Sequence, residues 1–110
     1  MTFDDYQKTA ITTALVNDDP LINKTIYAMG IAGEAGEVIE KWKKIVAYKN
    51  GVIDKNDLAE LAKEVGDVIW YCAVFADSLG LSLEKIMKNN VEKLADRHKR
   101  GVIKGVGDNR

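Results

Sequence analysis

Nine apolar residues in a row, Val68–Ala76, interrupt a chain that is otherwise rich in charge. The chain contains a single Pro, Pro20, so long uninterrupted helices are favoured. A helix that is apolar on nearly all sides has to be buried on most of them. Because 110 residues supply only one small core, we expect neighbouring helices and a second subunit to cover this segment.

Start and stop signals divide the chain into four helical segments. Apolar spacing and turn residues predict helices over about residues 3–16, 21–48, 57–79 and 82–99. Asp57 with Glu60 has the spacing of a capping box, and Ser82 is a predicted N-cap. The short connections predict an all-α, four-helix-bundle-like domain over residues 1–100, followed by a Gly-rich tail over residues 101–110.

Charge and composition narrow the class of partner. Sixteen basic against seventeen acidic residues give a net charge of −1, which disfavours binding to duplex nucleic acid. The apolar run is too short to span a bilayer, and the first residues do not resemble a signal peptide. The single cysteine, Cys72, suits a reducing compartment. We therefore expect a cytoplasmic protein with neither a nucleic-acid nor a membrane partner.

Acidic residues stand where the pattern predicts core. Glu34 and Glu37 are three residues apart on the second helix, and Glu64 and Asp67 are three apart on the third. Such spacing places each pair on one helix face. Carboxylates in apolar surroundings need protons, cationic partners or a metal, and these motifs contain no matching set of Arg or Lys. The pattern favours a Mg²⁺ site with oxygen ligands; surface acids in helix salt bridges are the alternative.

Three glycines, Gly30, Gly33 and Gly36, lie beside or within the first acidic pair. A Gly inside a helix costs about 1 kcal/mol relative to Ala, so three of them need an offsetting cause. Close approach of another helix or of a ligand is one such cause. A bend or a break in the long second helix is the other.

Polar residues that follow the acids in the chain also lie at helical spacing. Tyr71 follows Glu64 by seven residues, about two helical turns, and so lies on the same face unless it is a core residue. Asn90, Lys93 and Arg97 share one face of the fourth helix. Amide and cationic donors beside a carboxylate–metal cluster suit a polyphosphate, although an ordinary solvated face has the same pattern.

Together these motifs resemble the MazG-like branch of the all-helical nucleotide pyrophosphohydrolases. Gly33–Glu37 is similar to the Glu-x-x-Glu motif of that family, and Glu64–Tyr71 to its Glu-x-x-Asp motif with the apolar stretch and Tyr that follow. Asn90–Leu94, followed by Arg97, is similar to its Asn-x-x-Lys segment. The resemblance covers nearly the whole chain. One departure is that His98 follows Arg97 where many members have Arg-Tyr-Pro.

The resemblance implies hydrolysis of a (deoxy)nucleoside triphosphate to the monophosphate and pyrophosphate, in the service of nucleotide-pool cleaning. It implies a homodimer or homotetramer, and Mg²⁺, with Mn²⁺ as a possible substitute, held by Glu34, Glu37, Glu64 and Asp67. Glu34 is the expected general base. The residues expected to bind substrate are Tyr71, Asn90, Lys93 and Arg97, with Tyr6, Gln7 and Trp42 as candidates for the base pocket.

Two classes of alternative function remain open. One is a sister activity on the same fold, such as a dimeric dUTPase or dCTPase or a phosphoribosyl-ATP pyrophosphohydrolase. The other is a non-catalytic helical module whose acids are merely solvated. A redox di-metal bundle is disfavoured, because its Glu-x-x-His pairs are absent and Ala95 stands three residues before the only histidine, His98.

Overall fold

The computed structural model describes all 110 residues and contains four α-helices and no strand, which confirms the all-α prediction. The helices are α1 (Phe3–Ile11), α2 (Pro20–Lys49), α3 (Lys55–Ser78) and α4 (Leu83–Arg100). Three of them agree with their predicted bounds to within about two residues. The first ends well before residue 16.

The early end of α1 has a local cause. Thr12 and Thr13 are β-branched, and their hydroxyls donate to the carbonyl oxygens of Thr9 at 2.6 Å and Ala10 at 3.0 Å. Such bonds compete with the regular helix ladder. The chain therefore leaves the helix after Ile11.

The start of α3 corrects the predicted capping box. Asp54 is the N-cap, and its carboxylate accepts from the Asp57 amide at 2.8 Å. The Asp57 carboxylate in turn accepts from the Asp54 amide at 3.1 Å. The predicted pairing of Asp57 with Glu60 was therefore one turn too late. The N-cap role of Ser82 is confirmed, since its hydroxyl accepts from the Lys85 amide at 3.2 Å.

Helices α2 and α3 form an antiparallel hairpin whose register is fixed partly by ion pairs. Near its middle, Lys41 Nζ lies 3.1 Å from a carboxylate oxygen of Glu60 and 3.2 Å from one of Glu64. At its closed end, Lys49 Nζ lies 2.8 Å from a carboxylate oxygen of Asp54. These contacts cross from one helix to the other, so a slip of either helix would break them.

A close approach of side chain to backbone fixes the other end of the hairpin. A Cβ atom added to Gly30 would lie only 2.2 Å from ring carbons of Tyr71, so this position has no room for a side chain. No atom lies within 4 Å of a Cβ built on Gly33 or Gly36, and α2 runs unbroken through all three glycines. The close-approach prediction is confirmed for Gly30, and the predicted alternative of a helix break is wrong.

The small core lies where α1 and the start of α4 meet the second half of α3, and Tyr27 of α2 packs into it. Its centre is the apolar run, of which Ala73 and Val74 are fully buried. Gln7 ties the three helices together: its Nε2 donates to the carbonyl oxygens of Ala73 at 3.1 Å and Leu81 at 3.0 Å. Its Oε1 accepts from the Leu83 amide at 3.1 Å. The Gln7 amide is thus fully used within the fold.

A single chain leaves an unusually large surface uncovered. Its accessible surface is 8126 Å², whereas a globular monomer of this mass exposes about 6,000 Å². Its radius of gyration is 17.0 Å, against about 13 Å for a compact chain of this length. Ile39, Val65 and Ile69 line an open apolar groove between α2 and α3, with exposed fractions of 66, 46 and 47%.

The arrangement of α4 contributes to this open shape. The helix packs on α1 and α3 and makes no contact with α2. No helix of the chain is by itself both long and apolar enough to cross a membrane. Helices α3 and α4 meet these criteria only when taken together, as a pair bent by 108°.

The contact between Gly30 and Tyr71 predicts that Ala substitutions at two glycines of α2 change the free energy of unfolding in opposite directions. Gly30→Ala should lower the free energy of unfolding by about 1–3 kcal/mol, because the new methyl group forces the Tyr71 ring to move. Gly36→Ala, the matched control in the same helix, should raise it by up to about 1 kcal/mol, because Ala favours the helix and meets nothing. Urea denaturation of both variants tests this. Equal effects would contradict the close contact.

Candidate functional site

Three carboxylates from the two acidic motifs converge between α2 and α3. Glu34, Glu64 and Asp67 each place one oxygen within 4.8 Å of the others. The contact between Gly30 and Tyr71 explains this, since Glu34 and Asp67 each lie one helical turn from that contact, in opposite chain directions. Three of the four predicted metal ligands are therefore brought together.

Glu37, the fourth predicted ligand, is not among the converging carboxylates. Its side chain is on the exposed side of α2, but its charge still acts on the cluster. Partial burial raises the pKa of Glu34, and the charges of Asp67, Glu64 and Glu37 raise it further, together with a hydrogen bond to Glu64. The ionised cluster is therefore under repulsion that a bound cation would relieve.

Lys41 is a partner of this cluster that the sequence reasoning missed. Its ammonium contacts Glu60 and Glu64, and these two contacts raise the pKa of Lys41. The signal was present, because Lys41 follows Glu37 by four residues and Glu34 by seven, which places all three near one helix face. Lys41 lies outside the two motifs, and its one ammonium cannot balance three carboxylates and Glu60.

The donor set fits a hard divalent cation. Mg²⁺ holds oxygen ligands at about 2.0–2.1 Å, so that ligands on opposite sides of the ion lie about 4 Å apart. Oxygens within 4.8 Å of one another meet that geometry after small side-chain movements. All three donors are carboxylates, without His or Cys, which suits Mg²⁺ or Mn²⁺ rather than a softer metal.

A cavity of about 400 Å³ opens between the α1–α2 connection, the first turns of α2 and α3, and Tyr71 of its wall lies one helical turn from Asp67. Trp70 and Tyr71 form part of its wall, with ring centroids 5.0 Å apart in an edge-to-face arrangement. Tyr27 adds a third aromatic ring, and Asn17 and Asn23 add polar groups. Its size and mixed lining are typical of sites for small organic ligands.

The candidates for a base pocket are dispersed in the fold. Gln7 is buried and leaves no free amide group for a ligand. Trp42 is 45% exposed and does not line the aromatic cavity. Tyr6 is half-buried, and burial, followed by the nearby charge of Asp67, raises the pKa of its phenol. Of the three, Tyr6 is the residue whose phenol senses the charge of a cluster carboxylate.

The predicted phosphate-binding row is separate from the acids in a single chain. Asp67 lies eleven residues before the end of α3 and Lys93 ten residues after the start of α4, about 16 Å and about 15 Å along their helices. With a bend of 108° at that turn, the two backbones are about 20 Å apart. Asn90 is exposed, while Arg97 is buried and bonds to Asp108 of the tail.

Comparisons with known proteins agree with the acidic motifs. A family model described as the MazG nucleotide pyrophosphohydrolase domain matches residues 23–102. The Gene 37 protein of Mycobacterium phage L5 is 41% identical over 114 aligned residues, which cover 100% of both chains. The uncharacterized protein YvdC of Bacillus subtilis (strain 168) is 53% identical over 38 residues, covering 34% of this chain and 36% of its own. No solved structure matches this chain.

Repulsion in the cluster predicts that removing one charge stabilises the metal-free protein. The raised pKa of Glu34 means that its ionised form is disfavoured in the folded state, so Glu34→Gln should raise the melting temperature in chelator by a few degrees at neutral pH. Glu40→Gln is the matched control. Contacts with Lys43 and Lys44 lower the pKa of Glu40, so its removal should leave the melting temperature unchanged or reduce it.

Magnesium should reverse the order of the two variants. Added Mg²⁺ should stabilise the wild type and Glu40→Gln through binding to the folded state, and Glu34→Gln much less. Thermal unfolding with and without Mg²⁺ measures both effects. Equal stabilisation of all three proteins would contradict a metal site at Glu34.

Proposed function

Since this chain belongs to the MazG nucleotide pyrophosphohydrolase family, we propose that it hydrolyses a (deoxy)nucleoside triphosphate to the monophosphate and pyrophosphate. The observation that carries the proposal is the convergence of Glu34, Glu64 and Asp67 within 4.8 Å on the two motif helices. Removal of unwanted nucleotides from the pool is the role that we propose. A cytoplasmic location stays a prediction.

The chemistry divides among the residues of the cluster. Glu34, Glu64 and Asp67 would hold Mg²⁺, with Glu37 completing the set after a side-chain movement. When bound, the metal supplies positive charge for the phosphate oxygens. Glu34 would also accept the proton of the attacking water, because its carboxylate lies within the cluster that would hold the metal. Lys41 would hold the Glu64 carboxylate in its orientation.

The aromatic cavity is the proposed place of the nucleoside. Tyr71 belongs to its wall and lies one helical turn from Asp67, about 6 Å along α3. A nucleotide whose phosphates reach the acidic cluster would therefore extend its sugar and base toward Trp70 and Tyr27. Stacking on such rings is compatible with any base, so the cavity alone favours none.

We propose that a second copy of the chain supplies the phosphate-binding cations. In a single chain the helix rise and the 108° bend put the backbone of Lys93 about 20 Å from that of Asp67. No hydrogen bond or ion pair links α4 to the acidic cluster. The excess surface of about 2,000 Å² is of the size buried in stable interfaces. A homodimer, alone or doubled to a tetramer, would bring α4 of one copy to α2 of the other.

The reaction itself is tested by its products. We expect pyrophosphate and a monophosphate, and we expect excess chelator or Asp67→Asn to reduce turnover at least a hundredfold. Chromatography over the eight common nucleoside triphosphates and phosphoribosyl-ATP measures both the products and the preferred substrate. Release of orthophosphate with a diphosphate would contradict the proposed reaction. Turnover of phosphoribosyl-ATP alone would identify the sister activity instead.

The shared site predicts that two inactive variants restore each other. Asp67→Asn lacks a metal ligand and Lys93→Ala a phosphate contact, so each alone should be nearly inactive. Mixed and re-equilibrated, half of the dimers should be heterodimers with one intact site, which restores about a quarter of the wild-type activity. The double variant Asp67→Asn/Lys93→Ala mixed with wild type is the control. If the mixture of single variants stays inactive while both are dimeric, each site belongs to one chain.

A further inference from the structure

The cations of the phosphate-binding row already have an anionic partner in the same chain. The Asp108 carboxylate oxygen Oδ1 lies 2.9 Å from Lys93 Nζ and 3.1 Å from Arg97 Nη2. Contact with Lys93 and then with Arg97 lowers the pKa of Asp108, so the aspartate is ionised at neutral pH. The carboxylate therefore occupies the position that a phosphate oxygen would take on the same two side chains.

The tail that carries Asp108 is fixed by other contacts. The Arg110 guanidinium donates to the carbonyl oxygens of Val102 at 3.1 Å, Ile103 at 2.9 Å and also Gly107. Arg97 Nη2 also donates to the main-chain oxygen of Asp108. Because these bonds do not involve the Asp108 side chain, the carboxylate can rotate away while the backbone of the tail stays in place.

Exposure differs sharply among the three charged groups. The Asp108 side chain is 77% exposed and that of Lys93 39%, whereas that of Arg97 is only 5% exposed. Lys93 also lines an open depression on α4 together with Asn90. An incoming anion thus reaches Lys93 directly, while Arg97 is covered by the tail.

We propose that Asp108 is an internal competitor of the substrate's phosphates: it holds Lys93 in the free protein and is displaced when a polyphosphate binds, while Arg97 anchors the tail. The proposal rests on the phosphate-binding role proposed for Lys93. Its consequence is that the affinity for polyphosphate is lower than Lys93 alone would give. An exposed ion pair of this kind reduces the affinity by about two- to fivefold.

Removal of the Asp108 charge tests the competition. Asp108→Asn keeps an oxygen for Arg97 but weakens the hold on Lys93, so inorganic tripolyphosphate should bind about two- to fivefold more tightly in calorimetry. Asp96→Asn removes the same charge from an exposed pair with Arg100 and should leave the affinity unchanged. In a Lys93→Ala background, Asp108→Asn should have no effect.

Unchanged or weaker binding by Asp108→Asn, or an effect that persists without Lys93, would overturn the proposal. A measurement on the wild-type protein covers the case in which the variant does not fold. The carboxyl carbon signal of Asp108 in NMR should move toward that of a free aspartate as tripolyphosphate is added, and an unmoved signal at saturation would overturn the proposal. Both experiments measure binding, so absence of triphosphate hydrolysis would count against the catalytic proposal and not against this one.

Discussion

The register of α2 against α3 is the constraint on which the site depends. Tyr71 fits against the backbone of α2 only because Gly30 has no side chain, and this contact fixes how far one helix can slide along the other. One turn away, the same register puts Glu34 opposite Asp67. Lys41 reinforces it from the other side of the cluster by bridging to α3. A shift by a single residue would rotate the carboxylates apart, so packing and chemistry are determined by the same contact.

That arrangement has an energetic cost in the free protein. Carboxylates held within 4.8 Å of one another repel, and partial burial adds to the cost of ionising Glu34. The fold offsets only part of this with Lys41, which also serves Glu60. The remaining repulsion is available for binding, because a divalent cation removes it on arrival. Sites of this kind commonly combine low stability when empty with strong stabilisation when occupied.

Regular local signals made most of the fold predictable. Helical spacing placed all four helices, and the i, i+3 acids included the three residues that converge, although Glu37 is not one of them. Errors arose where the sequence offers two equivalent local patterns. Asp54 and Asp57 are both suitable N-cap residues for α3, and Asp54 is the one that takes this position. Lys41 and Asp108 were missed as partners because their importance depends on which helix or tail segment lies opposite, and the tail has no periodicity that could reveal this. Local sequence therefore predicts elements and faces, whereas long-range pairings need the tertiary structure.

The uncovered surface and the position of α4 have a common explanation. A helix that contacts α1 and α3 but not α2 leaves one side of the acidic hairpin free. Along the same hairpin, Ile39, Val65 and Ile69 leave an apolar groove open to water, which is unfavourable for an isolated chain. If a second copy covers this groove, the free energy gained by burying it also brings cations to the carboxylates. Assembly would then be a condition for catalysis rather than an addition to it, because the same contact would cover the groove and supply the cations.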